Sequence, residues 1–216
     1  MRQYVEIAVK SLELEGKIDI DLCVFYLEEM LRWNKTHGLT TIVEPSEGVI
    51  KHLADSLSIH KLIKGERLVD VGSGAGFPGI PLALLFPEKQ ITLVESQNKK
   101  AAFLRHIKRT LKLSHVEIIQ QRVEAFVPEQ RFDGVITRAF SSLSLMLQLT
   151  KHLCAYHGYF LAMKGVFPEE ELIAIEKNYP NYRVENIFVP GLEARRHCVI
   201  IPGEEKSQEK RRKLLQ

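Results

Sequence analysis

The segment LVDVGSGAGFPG, residues 68–79, decides the fold of this chain. The apolar run 68–71 leads directly into glycines at 72, 74 and 76, and a second apolar stretch follows at 80–86. This order predicts a strand, a tight turn and a helix. Glycines let the backbone adopt positive φ and approach a ligand, and the following helix presents free N–H groups. The segment therefore predicts a ligand-binding turn at the start of an α/β sheet.

Outward from this turn, strand-like runs alternate with helical stretches. Strands are predicted at 68–71, 91–94, 116–119, 135–137 and 159–163, and helices at 80–86, 99–111, 143–154 and 169–178. Such alternation implies right-handed crossovers and a parallel sheet covered on both faces. Residues 182–189 and 197–201, joined by a loop that contains Gly191, predict an antiparallel hairpin at one edge. The fold class is therefore a doubly wound, Rossmann-like α/β sheet with an antiparallel C-terminal hairpin.

Residues 1–64 predict an N-terminal helical extension. Apolar residues recur at helical spacing over about 18–35, and a second short helix is expected to begin at Ser46, as its cap, and to continue to Leu57. Residues 65–203 form the sheet domain, and residues 204–216 are a charged, basic tail with little to bury. The whole chain is expected to form one globular unit.

Composition excludes several classes of protein. The chain has 216 residues, of which 45% are hydrophobic and 26% charged, and its net charge of +3 permits a polyanionic partner without demanding one. Its three cysteines are scattered, which argues against a disulfide framework and a metal site and favours a reducing cytoplasm. The longest apolar stretch, 80–86, is too short to cross a bilayer, so no membrane partner is expected. No oligomeric state follows from these residues.

The next predicted strand ends in Glu95, which points to a nucleoside-containing ligand. A carboxylate at this place can accept hydrogen bonds from both ribose hydroxyls of an adenosine. Residues 74–79 also satisfy the dinucleotide pattern G-x-G-x-x-G, with Glu95 about 20 residues downstream. A nicotinamide-dependent oxidoreductase therefore stays open as an alternative.

Asp70 favours a different cofactor, S-adenosylmethionine. A carboxylate at the tip of the first strand would repel the pyrophosphate of a dinucleotide, whereas S-adenosylmethionine brings an ammonium and a sulfonium to that region. The residues themselves thus predict a methyl-donor site that includes Asp70, Gly72, Gly74 and Glu95.

At this point the chain resembles a known family, the small-subunit ribosomal RNA methyltransferase G family, also called glucose-inhibited division protein B. The resemblance covers about residues 30–200. It rests on DVGSGAGFPGIPLA at 70–83, Trp33-Asn34-Lys35, His52-x-x-Asp55-Ser56-Leu57, Arg122-Val123-Glu124, Arg138-Ala139, Lys164-Gly165 and Arg196-His197. One departure is Gly38, where the family pattern has Asn, so a differently shaped loop is expected after Trp33.

The resemblance implies transfer of a methyl group to N7 of a guanine in 16S ribosomal RNA, either free or in a small-subunit particle. It implies that Gly72 and Phe77 line the donor pocket, that Val123 and Glu124 hold the adenine edge, and that Arg138 lies beside the donor. Residues 65–203 are then the methyltransferase domain. A non-catalytic RNA-binding assembly factor with the same fold is the second alternative.

Some of these residues could have structural roles instead of functional ones. Trp33 is expected to be a core anchor, because a lone tryptophan more often packs than stacks on bases. His52 and Asp55, three residues apart on one helical face, could pair with each other or cap the cofactor domain. Neutral guanine carries a free lone pair at N7, so no catalytic base is named.

Overall fold

A seven-stranded mixed sheet forms the centre of the protein in the computed structural model, which describes residues 1–203. The strands are β1 (Arg67–Val71), β2 (Gln90–Val94), β3 (Val116–Ile119), β4 (Phe132–Arg138), β5 (Cys154–Lys164), β6 (Arg183–Ile187) and β7 (Arg196–Pro202). Their spatial order is β3-β2-β1-β4-β5-β7-β6. Strands β1 to β5 pair in parallel, and β7 runs antiparallel to both β5 and β6. The predicted doubly wound sheet and its C-terminal hairpin are therefore confirmed, while the predicted tail, 204–216, lies outside the described residues.

Helices cover both faces of this sheet. They are α1 (Arg2–Ser11), α2 (Ile20–His37), α3 (Pro45–Gly48), α4 (Asp55–Leu57), α5 (Gly79–Leu85), α6 (Asn98–Thr110), α7 (Leu143–Thr150) and α8 (Glu169–Glu176), and a π-helix, Val49–Ala54, joins α3 to α4. Helices α1, α2, α5 and α6 share one apolar cluster with the sheet, and α7 and α8 share the other. Within residues 1–203, no helix combines the length and the apolar character needed to cross a membrane.

Alternation along β1 shows how the sequence builds the two clusters. Leu68 packs into the cluster with the N-terminal helices, whereas Val69 and Val71 pack into the cluster with α7 and α8. Successive side chains of a strand point to opposite faces, so a strand buried on both faces reads as a continuous apolar run. The apolar run that begins at Leu68 is thus the direct consequence of a sheet with helices on both sides.

The structure corrects three details of the sequence prediction. Helix α1 was not predicted, although Val5, Ala8 and Val9 repeat at helical spacing and are buried. Ser46 does not cap the short second helix, which begins at Pro45 and has Glu44 at its N-cap position without a side-chain cap. The predicted helix 143–154 is too long, because α7 ends at Thr150 and β5 already begins at Cys154.

Tyr26 of α2 ties the N-terminal helices to the glycine turn. Its side chain is fully buried, and its hydroxyl donates a hydrogen bond of 2.7 Å to the carbonyl of Ala75. Its ring lies 5.2 Å from that of Phe77, between ring centroids. The extension is therefore part of the support of the turn.

Replacing Tyr26 with Phe is expected to lower the free energy of unfolding by about 1 to 3 kcal/mol, because the buried Ala75 carbonyl loses its partner. Urea denaturation followed by circular dichroism measures the change. Tyr4→Phe is the control, since Tyr4 is 48% exposed and should give wild-type stability. Equal midpoints for Tyr26→Phe and wild type would contradict the role given to this hydroxyl.

Candidate functional site

The carboxyl ends of β1 and β4 meet at the centre of the sheet edge. These strands are neighbours, with Val71 paired to Thr137, but the chain leaves β1 toward β2 and leaves β4 toward β5. Open α/β sheets bind ligands in the crevice at such a switch point. A ligand site is therefore expected around Gly72 and Arg138, the residues that lie at these two strand ends.

Glu95, after the end of β2, holds the glycine turn. Its Oε2 accepts a hydrogen bond of 2.8 Å from Gly74 N–H, and its Oε1 accepts one of 2.7 Å from Gln97 N–H. Glu95 is buried, and it also lines a cavity beside the turn. Each oxygen of an ionised carboxylate has a further lone pair, so Glu95 keeps acceptor capacity for ligand hydroxyls.

Asp70 lies beneath the turn. Its Oδ2 accepts a hydrogen bond of 3.0 Å from Gly79 N–H, and a Cβ on Gly79 would lie 2.8 Å from that oxygen and collide with Leu93. Glycine is therefore required at the start of α5. Asp70 Oδ1 is buried and has no hydrogen-bond partner within the described chain. Burial raises the pKa of Asp70 to about 7.

A first cavity, of about 140 Å³, opens beside the turn above β1 and β2. The residues that matter for a ligand there are Gly72, Glu95, Arg122, Val123, Glu124 and Phe140. Val123 and Glu124 belong to a single 3₁₀ turn, Val123–Ala125, that follows β3. This cavity combines an apolar wall with carboxylates, which suits the base and the hydroxyls of an adenosine.

A second cavity, of about 370 Å³, lies above β4, β5 and β7 on the other side of the switch point. Its polar lining includes Lys51, His52, Asp55, Arg138, Lys164 and Arg196. These residues come from the π-helix region of the extension and from three different strands. Lys51 and Lys164 pair with Glu47 and Glu171, outside this lining, and Arg138 and Arg196 share Asp55. One positive charge is left over, so an anionic ligand is favoured there.

Asp55 joins the two arginines of the second cavity. Its Oδ2 lies 3.2 Å from Arg138 Nη1 and its Oδ1 lies 3.1 Å from Arg196 Nε. Arg138 Nη1 also donates to the carbonyl of Lys51 at 3.0 Å. Because Asp55 is buried and holds one arginine from β4 and one from β7, it fixes the extension onto the sheet and sets both guanidinium positions.

His52 and Phe77 fill the space beside Arg138. Their rings stack at 4.5 Å between centroids, and the Arg138 guanidinium lies 5.2 Å from the Phe77 ring centroid. Burial, with the nearby Arg138 charge, lowers the pKa of His52 to about 4, so the ring is neutral at pH 7. Thr40 Oγ1 lies 2.9 Å from His52 Nε2, which connects the loop after α2 to the site.

The chain separates the two cavities at Ala139. This residue has φ of +52°, a left-handed conformation that is uncommon for a residue with a side chain. Arg138 lines the second cavity while Phe140 lines the first. The reversal at Ala139 therefore sends its two neighbours to different ligand sites.

The structure groups the predicted site residues in three places. Gly72, Glu95, Val123 and Glu124 line the first cavity, and Arg138 lines the second. Gly74 lies in the turn and donates to Glu95, while Asp70 and Phe77 are buried behind the turn and are not among the residues that line these cavities.

Other sequence interpretations have clear outcomes. Trp33 is half-buried and packs against Phe103 of the core, at 5.6 Å between rings. His52 and Asp55 do not pair with each other; each contacts Arg138 instead. Gly38 ends α2 with φ of +61°, which glycine adopts without strain. Phe140 was missed, and its position just after Arg138-Ala139 was the available signal.

The chain matches a known protein family. Residues 19–199 match the model of GidB, described as rRNA small subunit methyltransferase G. The chain belongs to this family. A relative named ribosomal RNA small subunit methyltransferase G, from Legionella pneumophila (strain Corby), is 48% identical over 199 residues, which are 89% of this chain and 94% of the relative. The predicted family and methyltransferase class are confirmed.

Solved structures confirm the fold. Precorrin-6y C5,15-methyltransferase from Geobacter metallireducens GS-15 has a TM-score of 0.53 at 11% identity, over 69% of this chain and 87% of that chain. TYW2 from M. jannaschii, solved in complex with AdoMet, has a TM-score of 0.52 at 19% identity, over 75% and 77% of the two chains. The fold is that of S-adenosylmethionine-dependent methyltransferases. The nicotinamide alternative is set aside by the family membership and not by these likenesses.

We expect Asp55→Ala to lower the free energy of unfolding by about 3 kcal/mol, because Arg138 and Arg196 would keep their charges at a largely buried place without the shared carboxylate. Chemical denaturation measures this loss. Glu47→Ala removes an exposed partner of Lys51 and should cost less than about 1 kcal/mol. Similar losses in the two variants would show that Asp55 is an ordinary surface partner.

Asp70→Asn should change how stability depends on pH. The pKa of Asp70 is about 7 in the folded protein, above its ordinary value of 3.8, so the folded protein binds this proton more tightly than the unfolded chain. Wild-type stability gained from this group is present at low pH and is lost as the pH rises toward about 7. Asn does not ionise, so the variant should not lose this stability. The loss in the wild type should amount to a few kcal/mol, at about 1.4 kcal/mol per unit of pKa difference.

Urea denaturation of both proteins at a series of pH values between about 4 and 8 tests this. The difference in free energy of unfolding should shift in favour of Asp70→Asn across the window. A constant difference would mean that Asp70 is ionised throughout, and would remove the raised pKa from the description of the site.

Proposed function

We propose that this protein transfers the methyl group of S-adenosylmethionine to N7 of a guanine in 16S ribosomal RNA, in the cytoplasm. The observation that carries the proposal is the pair of neighbouring cavities, one lined by Phe140 and suited to an adenosine, the other lined by Arg138 and rich in cationic groups. Family membership assigns the general reaction, and the two cavities supply separate places for donor and RNA. The division into an extension, 1–64, and a methyltransferase domain, 65–203, belongs to this proposal.

The first cavity fits the donor. Glu95 retains acceptor lone pairs for the ribose hydroxyls, and Val123 with Glu124 forms the wall for the adenine edge. The unpartnered Oδ1 of Asp70 is a buried acceptor behind the turn. A cation near Gly72 would favour the ionised form of this carboxyl, although Asp70 acts from behind the turn and not from the cavity wall.

Bound S-adenosylmethionine supplies an electrophilic methyl group on its sulfonium. The residues of this chain then have to position and to desolvate the reacting groups. N7 of a neutral guanine has an available lone pair, so no side chain has to remove a proton. Holding the two partners in a near-attack geometry is the main source of rate for such a reaction. The neutral ring of His52, stacked on Phe77, serves to hold Arg138 in place at the border of the two cavities.

The second cavity favours an unpaired nucleotide. Its volume of about 370 Å³ is that of a small-molecule site, which suits a single nucleotide better than a continuous duplex. In A-form RNA, N7 also lies in a deep and narrow major groove that side chains do not enter. The target guanine is therefore a loop base or a base swung out of its stack.

The test is methylation of small-subunit RNA from a bacterial strain that lacks this protein, with tritium-labelled S-adenosylmethionine. Free 16S RNA and small-subunit particles are compared, and N7-methylguanine is mapped by borohydride reduction and aniline cleavage. Label at one unpaired guanine is expected. RNA binding without transfer would instead identify an assembly factor, and label at another atom or another RNA would refute the N7 assignment.

A further inference from the structure

An exposed apolar rim borders the second cavity. We define this rim by Val43, Val166 and Phe167, which are 71%, 85% and 49% exposed. Each lies one or two residues from a lining residue, since Ile42 and Gly165 belong to the cavity. The donor site and the apolar clusters make no use of these side chains. Large apolar groups kept at the mouth of a ligand site commonly contact what enters it.

Phe167 has a fixed place in this rim. Its ring packs edge-on against His197, with 5.5 Å between the centroids, and His197 itself is buried and lines the second cavity. His197 Nδ1 lies 3.2 Å from the carbonyl of Gly165. The two rings are nearly perpendicular, and about half of the Phe167 surface is exposed, so part of the phenyl ring is open to a nucleic-acid base that could stack on it.

Arg196 also lies close to Gly165. A Cβ on Gly165 would be 3.5 Å from Arg196 Nη1, and Phe167 follows two residues further along the chain, so the guanidinium and the phenyl ring both lie near this short loop. Arg196 Nε donates to Asp55 and Nη1 donates to its own neighbour's carbonyl, at Arg195. A guanidinium has five N–H donors, so donors remain for a ligand.

The positive charge beside the rim favours an anionic ligand. Arg138 and Arg196 share the single carboxylate of Asp55, so their combined charge is not balanced within the cluster. Lys164 pairs with Glu171, at 2.7 Å, and Lys51 pairs with Glu47, at 2.8 Å, so the unbalanced positive charge of this lining belongs to Arg138 and Arg196. An aromatic face beside an incompletely balanced arginine matches the two parts of a nucleotide, its base and its phosphate.

We propose that Phe167 and Arg196 form a subsite for the single-stranded nucleotide that flanks the target guanine. The flanking base stacks on Phe167, and the adjoining phosphate binds Arg196. The subsite rests on the proposed function, because it assigns the RNA strand to the second cavity. It makes recognition depend on an unpaired neighbour as well as on an accessible target base.

Binding of a short, unstructured, fluorescein-labelled RNA to the full chain, measured by fluorescence anisotropy, tests the stacking contact. Phe167→Ala should weaken binding by about fivefold or more, the effect expected for loss of one stacked base. Phe167→Trp should restore the affinity, whereas Phe167→Leu should not, because leucine is apolar without an aromatic face. Tyr4→Ala is the matched control, an aromatic residue 48% exposed on α1, and should bind as wild type.

Arg196→Gln tests the phosphate contact. The slope of the logarithm of affinity against the logarithm of salt concentration should fall by about 0.7, the value for one phosphate of a single strand. Arg2→Gln, at an exposed position of α1, should leave the slope unchanged. An unchanged slope for Arg196→Gln would overturn the assignment of the phosphate.

Failure of the subsite and failure of the proposed function give different results. Wild-type RNA affinity in Phe167→Ala, or full rescue by Phe167→Leu, overturns the subsite even if the wild type methylates RNA. A further outcome is that Phe167→Ala binds free RNA normally and fails to methylate only particles that contain ribosomal proteins. That result would assign the rim to a protein partner and would also overturn the subsite. No methyl transfer by the wild type, with Phe167-dependent RNA binding, refutes the proposed reaction and leaves an RNA-binding site.

Discussion

The ion pairs of Asp55 with Arg138 and Arg196 hold the site together. One carboxylate comes from the N-terminal extension, and its two partners come from β4 and β7, on either side of β5. Removing one partner from a buried group of ion pairs is strongly destabilising, because it leaves a buried charge without compensation. The second cavity, the place of Arg138 beside the glycine turn and the docking of the extension therefore depend on the same contact.

The topology of the sheet explains why two ligands fit side by side. Crossovers leave β1 and β4 in opposite directions, so the crevice above them has one half over β2 and β3 and another over β5 and β7. Carboxylates and an apolar wall occupy the first half, and cationic groups occupy the second. Ala139, in a left-handed conformation, marks the border and directs Arg138 and Phe140 to opposite sides.

Sequence periodicity predicted the regular part of the fold well because buried parallel strands and amphipathic helices impose it directly. It was less successful where the backbone departs from standard geometry. The predicted cap at Ser46 is wrong, because the helix begins at Pro45, and this helix passes into a π-helix, Val49–Ala54, that the α-helical period does not predict. Helix α1 lacks an acidic first turn and a side-chain cap, which removed the usual start signal although its buried residues keep the period.

The sequence alone determined the glycine turn, the strand–helix alternation and the residues of the family motifs, because each of these is a local pattern of residue types. Gly72 and Glu95 could be expected near each other, since strand ends of a parallel sheet meet at one edge, whereas Val123 and Glu124, which line the same cavity, were expected only from the family resemblance. Only the tertiary structure paired Asp55 with Arg138 and with Arg196, at separations of 83 and 141 residues. Spacing along the chain carries no information about such contacts, because they form only when the extension folds back over the ends of β4 and β7.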